Sequence, residues 1–555
     1  DDAFNLNVNQ SGQFNGGEGS DTFTLDDGVV LSFAGTAIDG GADAAGDDDD
    51  ELNLAADTSG ALAVTLSAST ANTGFAGTEA AVFTGAGGEF AGIDTVTGSG
   101  DDTLTGTTAA STWTGTSYDD GTETLAYSGV ATAIGNAAAD TLQGGAGVDT
   151  FTVDGSGSVT LGGQDFDGMD TLSGQGNDDV FNLAEDFGGT VNGDAGNDQF
   201  TITASQTGSI DGGADADTFD LTAGVAVAGL SGGAGGTDND TLAIVANNIG
   251  NPSQPNEWTV TGENSGTVDG QGQGAVNFTD METLQGNARA DNFAINLGGS
   301  AGTIDGGDGN DSVSFADPNR VVGVTVAYDT FTSIESLTGS LLSDTMTGTT
   351  EEDTFTLTAP GVGSATLTAG GGEVVAFTSF ENVSGLGAAD TFNLNGDFGG
   401  VVNGDGGADV FNLNANQSGQ FNGGEGSDTF TLADGVVLSF AGTAIDGGAD
   451  AAGDDDDELN VAADAGALAV SLTASAADTG FTGTEATVFT GAGGQFAGID
   501  TVTGSGDETL TGRNVASTWT AGTYSDGTAS LSFSGIGTAI GNAAADTLQG
   551  GAGVD

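Results

Sequence analysis

The stretch at 389–432 decides the fold, and it reads ADTFNLNGDFGGVVNGDGGADVFNLNANQSGQFNGGEGSDTFTL. Asp-x-Phe units recur in it 19 residues apart, at Asp390, Asp409 and Asp428. A second apolar position, Val402 and then Phe421, lies nine residues before the next phenylalanine. A fixed period of this size is typical of a stacked repeat. We therefore predict an all-β fold, a parallel β-solenoid with coils of about 19–20 residues and some coils with longer loops.

Alternation within each Thr-Phe-Asn-Leu strand assigns its two faces, because successive side chains of a strand point in opposite directions. The phenylalanines are thus predicted to stack inside the solenoid as a ladder formed by Phe200, Phe219, Phe392, Phe411 and Phe430. The same period recurs at Asp179, Asp198 and Asp217. Their predicted second-strand positions are Val191 and Ile210. A further coil is predicted around Asp311, with Ile304 nine residues before Val313.

The sequence also has a second, longer period that spans many coils. Residues 2–149 recur almost unchanged at 409–555, which gives a super-repeat of about 406 residues. The sequence QSGQFNGGEGSDTFTL, for example, stands at 10–25 and again at 417–432. We predict one continuous solenoid over 1–555, since a solenoid grows by stacking neighbouring repeats. Because the sequence starts and stops inside repeats, we also expect it to be a segment of a longer chain.

The amino-acid composition of the chain limits the classes of molecule that it is expected to bind. The chain has 102 glycines and four prolines, and its 81 acidic residues face three arginines, giving a formal charge of −78. Nucleic acid is not expected as a partner, because phosphate contacts need lysine and arginine. No apolar run is long enough for membrane insertion. So much uncompensated negative charge opposes a compact state, and we expect cations among the carboxylates.

The Gly-Asp turns contain the sequence motif that indicates a chemical function. Segments 16–23, 144–151 and 306–313 fit the calcium nonapeptide G-G-x-G-x-D-x-U-x, and 423–430 repeats the first of them. Here the sequence resembles the RTX, or haemolysin-type calcium-binding, family of secreted bacterial proteins. The resemblance implies Ca²⁺ held in the turns, since calcium takes six to eight oxygen ligands. The implied ligands are Asp21, Asp149, Asp179, Asp198, Asp217, Asp311, Asp390, Asp409 and Asp428.

This chain departs from the RTX pattern in two ways. The motif occurs about once per coil, and the turns at 174–179, 193–198, 286–291 and 404–409 have lost a glycine. We therefore expect calcium in patches and on one edge only. For most individual turns the alternative is simply that Gly-Asp sequences form good β-turns.

A second recurring unit reads Phe-x-x-apolar-acid-x-apolar-x-Gly, as at 90–98, 166–174, 278–286, 331–339, 377–385 and 496–504. We interpret it as part of the coils with longer loops. Together with stretches such as EWTVTGENSGTV, it resembles the very large β-strand-repeat proteins of Gram-negative bacteria, some of which are similar to filamentous-haemagglutinin-type adhesins. That resemblance implies secretion and a place on the bacterial cell surface or in an extracellular, biofilm-type matrix.

Two other features have alternative interpretations. The acidic runs Asp47–Glu51 and Asp454–Glu458 are either a cation site or a solvated loop. The tryptophans are expected to anchor the core or a loop rather than to bind sugar, and they are Trp113, Trp258 and Trp519.

The function expected from these patterns is structural: a long acidic β-solenoid that forms a surface filament or an adhesin stalk. A filament would self-associate end to end or laterally. One alternative is a single-chain RTX-type adhesin that binds a surface or glycan through parts outside this segment. A minor alternative is a polysaccharide-active β-helix enzyme, for which Arg320 in the loop ADPNRVV would be the residue to test. No enzymatic activity is expected.

Overall fold

The structure is a computed structural model that describes residues 1–42, 49–136, 139–155, 157–233, 238–246, 254–270, 274–367, 372–448, 456–477, 479–542 and 544–550. These residues form 54 β-strands and one 3-10 turn, Tyr328–Thr330, with no α-helix. Nowhere in these ranges is a helix long and apolar enough to cross a bilayer. The chain divides into two compact units, Asp1–Glu257 with Glu263–Asn287 and Trp258–Gly262 with Ala288–Asp555.

The predicted parallel β-solenoid is confirmed in the first unit, where strands of successive coils pair in parallel and in register. One column of strands contains Thr150–Val153, Val180–Leu183, Gln199–Ile202, Thr218–Thr222, Thr241–Ala246 and Thr283–Gln285. A second contains Thr112–Trp113, Thr141–Gln143, Thr171–Ser173, Thr190–Ala195, Gln206–Ala214, Val227–Gly233 and Ala275–Thr279. Nearer the start of the chain, Ala3–Leu6, Thr22–Leu25, Glu51–Asn53, Thr95–Thr105 and Thr124–Ile134 form one column, and Phe14–Gly17, Thr36–Gly41 and Glu89–Ile93 another.

The second unit is built in the same way. Its longest columns are Thr354–Ala359, Thr391–Leu394, Val410–Leu413, Thr429–Leu432, Glu458–Asn460, Thr501–Thr511 and Ser530–Ile540, and Thr325–Ala327, Thr345–Thr347, Asn382–Ser384, Val401–Gly406, Gln420–Glu425, Thr443–Gly448 and Gln495–Ile499. Shorter ones are Asn256–Gly262, Asp291–Ile295, Ser312–Ser314, Ser336–Thr338 and Glu373–Thr378, Thr303–Asp305 with Phe331–Thr332, and Thr518–Trp519 with Thr547–Leu548.

The predicted phenylalanine ladder is confirmed as two stacks of nearly parallel rings, one in each unit. Ring centroids are 4.7 Å apart between Phe200 and Phe219, 4.8 Å between Phe392 and Phe411, and 4.6 Å between Phe411 and Phe430. Phe181, 19 residues before Phe200, also belongs to the stack of the first unit. Two further rings lie outside the 19-residue period, Phe151 in the first unit and Phe355 in the second. These distances match the spacing of hydrogen-bonded strands, so each ring lies directly on its counterpart in the next coil.

The longer coils contain antiparallel strands where longer loops were expected. The strand Thr150–Val153, for example, continues into Val159–Leu161 and then Gln164–Asp167, each antiparallel to the one before. Similar insertions use Ala63–Thr70, Gly74–Thr78, Ser117–Asp119, Ser265–Gly270, Val362–Leu367, Ala469–Ala476, Gly480–Thr484 and Thr523–Ser525. Extra residues are thus absorbed as hairpins, while the parallel columns continue from coil to coil, with local register shifts in some of the longer pairings.

The two near-identical sequence copies fold alike. Trp113 packs on Tyr118 with ring centroids 4.4 Å apart, and the corresponding Trp519 packs on Tyr524 at 4.5 Å. Both tryptophans and Trp258 are buried, as expected for core residues.

Replacing Phe411 by alanine should cost about 3–5 kcal/mol of stability, because it removes a fully buried ring with a neighbour on each side. Phe4 occupies the same repeat position, but it is half-buried, with one stacked neighbour, Phe23, and an edge contact with Phe14. Phe4→Ala should therefore cost clearly less. Denaturant unfolding of both variants checks this, and equal losses would contradict the ladder as a source of stability.

Candidate functional site

The candidate site is a column of acidic side chains placed immediately before the strands that carry the phenylalanines. Asp179 donates its main-chain N–H to Asp198 Oδ1 at 2.7 Å. In the other direction, Gln199 donates its N–H to the Asp179 carbonyl oxygen at 2.8 Å. Buried main-chain N–H groups need an acceptor, and each carboxylate supplies one where the strand ladder would otherwise end. The column therefore joins successive coils at their turns.

We call this set the aspartate column. Its members are Asp149, Asp179, Asp198, Asp217 and Asp240 in the first unit, and Asp353, Asp390, Asp409, Asp428 and Asp457 in the second. Shorter columns with the same bond are formed by Asp2, Asp21 and Asp50 and by Asp291 and Asp311. In each bond a residue donates its N–H to the carboxylate of the next member.

Eight of the nine aspartates proposed as calcium ligands on sequence grounds accept such a bond. They are Asp21, Asp179, Asp198, Asp217, Asp311, Asp390, Asp409 and Asp428. The ninth, Asp149, is only half-buried, and its Oδ2 accepts the N–H of Gly145 in its own turn. The structure thus brings the predicted residues together in columns, with one oxygen of each of the eight bonded to the main chain.

The other oxygen, Oδ2, faces a glycine five residues earlier in the chain. A Cβ added to Gly193 would lie 2.2 Å from Asp198 Oδ2 and 2.3 Å from the carbonyl oxygen of Gly212. At Gly404 the distances are 2.0 Å to Asp409 Oδ2 and 2.6 Å to the Gly423 carbonyl oxygen. Only a glycine fits these positions. The Gly-x4-Asp spacing of the turns is therefore explained by packing.

Several of these Oδ2 atoms are buried and accept no hydrogen bond from the described residues, namely those of Asp179, Asp198, Asp217, Asp390 and Asp409. Burial raises the pKa of Asp179 and Asp409 to about 6, that of Asp198 and Asp390 to about 7, and that of Asp217 to about 8. The N–H bond from the preceding member opposes the rise in pKa, and neighbouring carboxylates add to it.

The same bond is also accepted by acids outside the Gly-Asp motif. Glu282 accepts the N–H of Asp240 at 2.9 Å, and Glu335 accepts that of Asp311 at 2.6 Å. Both are the acid of the Phe-x-x-apolar-acid unit, and so is Glu381, which accepts the N–H of Asp344. The signal was present in the sequence, because acid-x-apolar is the same step as Asp-x-Phe.

The acidic runs are partly explained by the same bond. Asp47 and Asp48 of the first run lie outside the described residues, as do Asp454 and Asp455 of the second. Asp50 accepts the N–H of Asp21 at 2.7 Å, and Asp457 accepts that of Asp428 at 2.8 Å. Both are fully buried, so these two members belong to columns rather than to a solvated loop.

At two places, one in each unit, the other turn of the coil is held by a buried glutamine. Gln417 Oε1 accepts the N–H of Phe398 at 3.1 Å, and its Nε2 donates to the carbonyl oxygens of Gly396 and Ala415. In the first unit Gln206 makes the same three bonds, accepting the N–H of Phe187 and donating to the carbonyl oxygens of Glu185 and Ala204. This turn therefore needs no ion to satisfy its main chain.

One group of side chains could offer several oxygens to a metal ion: Asp238, Asp240 and Glu282 have carboxylate oxygens within 4.8 Å of one another. In the aspartate column itself, Asp198 Oδ2 and the Gly212 carbonyl oxygen are the two oxygens nearest to the position that a Cβ of residue 193 would occupy. Calcium takes six to eight oxygens at about 2.3–2.6 Å, and two oxygens alone do not form that cage. Calcium at the nine aspartates stays a prediction.

Arg320 is held by main-chain oxygens. Its guanidinium donates to the carbonyl oxygens of Ile295 and Asn296 at 2.8 and 3.1 Å and lies 5.6 Å from the ring centroid of Phe315. These contacts fix the irregular loop.

No family model matches the chain, and no curated protein matches it significantly.

Gly404→Ala should destabilise the protein by about 1–3 kcal/mol, the usual cost of overpacking, because the new methyl group would collide with Asp409 Oδ2. Gly387→Ala is the matched control, since nothing lies within 4 Å of a Cβ there. Urea unfolding of the two variants compares them. If both variants unfold like the wild type, the close packing of glycine and aspartate is not important for stability.

Proposed function

We propose that the chain is a structural protein, part of a long acidic β-solenoid that serves as an extracellular filament or an adhesin stalk on a bacterial surface or in a matrix. The observation that carries the proposal is the repetition of the same two contacts from coil to coil. Phe392, Phe411 and Phe430 stack, and Asp390, Asp409 and Asp428 bond in sequence beside them. Such a fold can be extended by adding coils without changing its core.

The net negative charge supports a role in which the protein is extended and exposed to solvent. The acidic residues outnumber the arginines by 81 to three, and net charge of this size keeps proteins soluble while opposing compaction. The Trp113, Trp258 and Trp519 side chains are buried, and Arg320 is bound to the main chain. These residues therefore offer neither a sugar platform nor a basic catalytic group, and we propose no enzymatic activity.

Calcium belongs to the proposal through the formal charge of −78 and the close carboxylates of Asp238, Asp240 and Glu282. Secretion into a calcium-rich medium would then favour the folded chain, because an ion that binds only the native state stabilises it. Circular dichroism of the chain in EGTA and then in millimolar Ca²⁺ tests this. We expect calcium to raise the melting temperature, and an unchanged melting curve would remove calcium from the function.

Assembly is tested separately by electron microscopy of the purified chain. A filament protein should give fibres with subunit boundaries that repeat along their length. A mutation of Phe411 should weaken the subunit itself. A stalk should give single particles at all concentrations. Amorphous aggregates alone would contradict both forms of the proposal.

A further inference from the structure

We propose that a groove in each copy of the repeated sequence binds a neutral saccharide unit. In the first unit the groove has a volume of about 560 Å³ and is lined by the hairpin strands Ala63–Thr70 and Gly74–Thr78 and by residues between 80 and 89. Protein sites for small ligands have volumes of roughly 300–1,000 Å³, so the groove has room for a sugar. The inference depends neither on filament assembly nor on calcium.

The same groove occurs in the second unit, where its volume is about 490 Å³. Counterparts of the first groove's residues line it, among them Ala486 for Ala80 and Gln495 for Glu89. Each groove is formed by residues of one unit alone. Two copies of the sequence therefore fold into the same cavity.

The hydroxyl groups that line the groove remain free to accept hydrogen bonds. Thr78 donates its hydroxyl to the carbonyl oxygen of Gly88 at 3.0 Å, and Ser67 donates its hydroxyl to that of Ala76 at 3.2 Å. A hydroxyl has one proton and two lone pairs, so both oxygens can still accept a bond from a ligand. The corresponding bonds recur in the second groove.

One side chain differs in charge between the grooves but offers an oxygen in both. Glu89 Oε1 accepts the hydroxyl of Thr36 at 3.2 Å, whereas Gln495 donates its Nε2 to the hydroxyl of Thr443 at 3.1 Å. The remaining oxygens, Glu89 Oε2 and Gln495 Oε1, receive no donor from the part of the chain that the structure describes. A ligand that binds both grooves must therefore supply donors and cannot depend on a charge.

A glycine turn beside the groove supplies a donor. Gly88 donates its N–H to the carbonyl oxygen of Gly85 at 2.9 Å, and Gly87 between them has a φ of 66°. Glycine is favoured at this position of a tight turn because the backbone is left-handed there. The N–H of Gly87 has no acceptor among the described residues. The turn at 491–494 of the second groove has the same form.

These groups together indicate the class of ligand. None of the described residues that line either groove is basic, and a chain with a formal charge of −78 repels anions such as phosphates and uronates. Ala80 and Phe83 add an apolar surface to the hydroxyls and the free N–H. A neutral sugar has the complementary chemistry, since its ring carries many hydroxyl donors around an apolar C–H face.

Saturation-transfer difference NMR of the 555-residue chain tests the proposal with maltose, cellobiose, lactose and N,N′-diacetylchitobiose at millimolar concentrations. At least one disaccharide should receive magnetisation from the protein. Ala80 and Ala486 are exposed and line the two grooves. Ala80→Trp and Ala486→Trp each fill one groove with an indole, so each should reduce the transfer by about half, and the double variant should abolish it.

The matched control is the double variant Ala86→Trp with Ala492→Trp. Both alanines are exposed and belong to the same glycine turns, but neither lines a groove, so the transfer should stay at the wild-type level. Circular dichroism melting checks the fold of every variant. Where a tryptophan variant melts below the wild type, Ala80→Leu and Ala486→Leu take its place and should also weaken the transfer.

Three results would overturn the proposal. The first is no transfer from the wild type to any of the four disaccharides. The second is an equal loss in the groove variants and in the control variant. The third is transfer to the protonated amine of glucosamine alone, lost with Ala80→Trp and kept with Ala486→Trp, because the site would then be a cation site at Glu89.

Discussion

The hydrogen bond from an aspartate N–H to the carboxylate of the next coil is the constraint on which the rest of the fold depends. Parallel strands pair well along their length, but at a turn the main chain leaves the ladder and an N–H is buried without a carbonyl to accept it. A carboxylate one coil further on fills that place, as Asp198 does for Asp179. Its second oxygen then needs room, and only a glycine at position 193 provides it. The Gly-Asp composition is thus the consequence of one unsatisfied donor.

The same bond positions the apolar core. Fixing the aspartate fixes the register of the strand that follows, and a slip of one residue would turn every side chain to the wrong face. With the register set, Phe200 lies on Phe219 and Phe392 on Phe411 without further adjustment. The polar column and the aromatic stack therefore depend on the same strand register, and a change in either should disturb the other.

The sequence was sufficient for those parts of the fold that repeat. The 19-residue period predicted the parallel pairing of Val191 with Ile210 and the stack of phenylalanines, because both follow from strict alternation. It did not predict the hairpins, since the strand Val159–Leu161 alternates like any other and nothing local distinguishes an antiparallel neighbour from a parallel one. The role of Glu282 was missed for a different reason: an acid before an apolar residue was taken as part of a loop, and its bond to Asp240 joins residues 42 apart.

The hairpins give the coils very unequal lengths. Successive members of the aspartate column are separated by 30, 19, 19, 23 and then 42 residues, yet each step adds one strand to the same parallel column. The rise along the column is therefore set by the number of coils, whereas the number of residues in a coil can vary. The gene can therefore gain or lose segments within one coil without changing the spacing of the other coils.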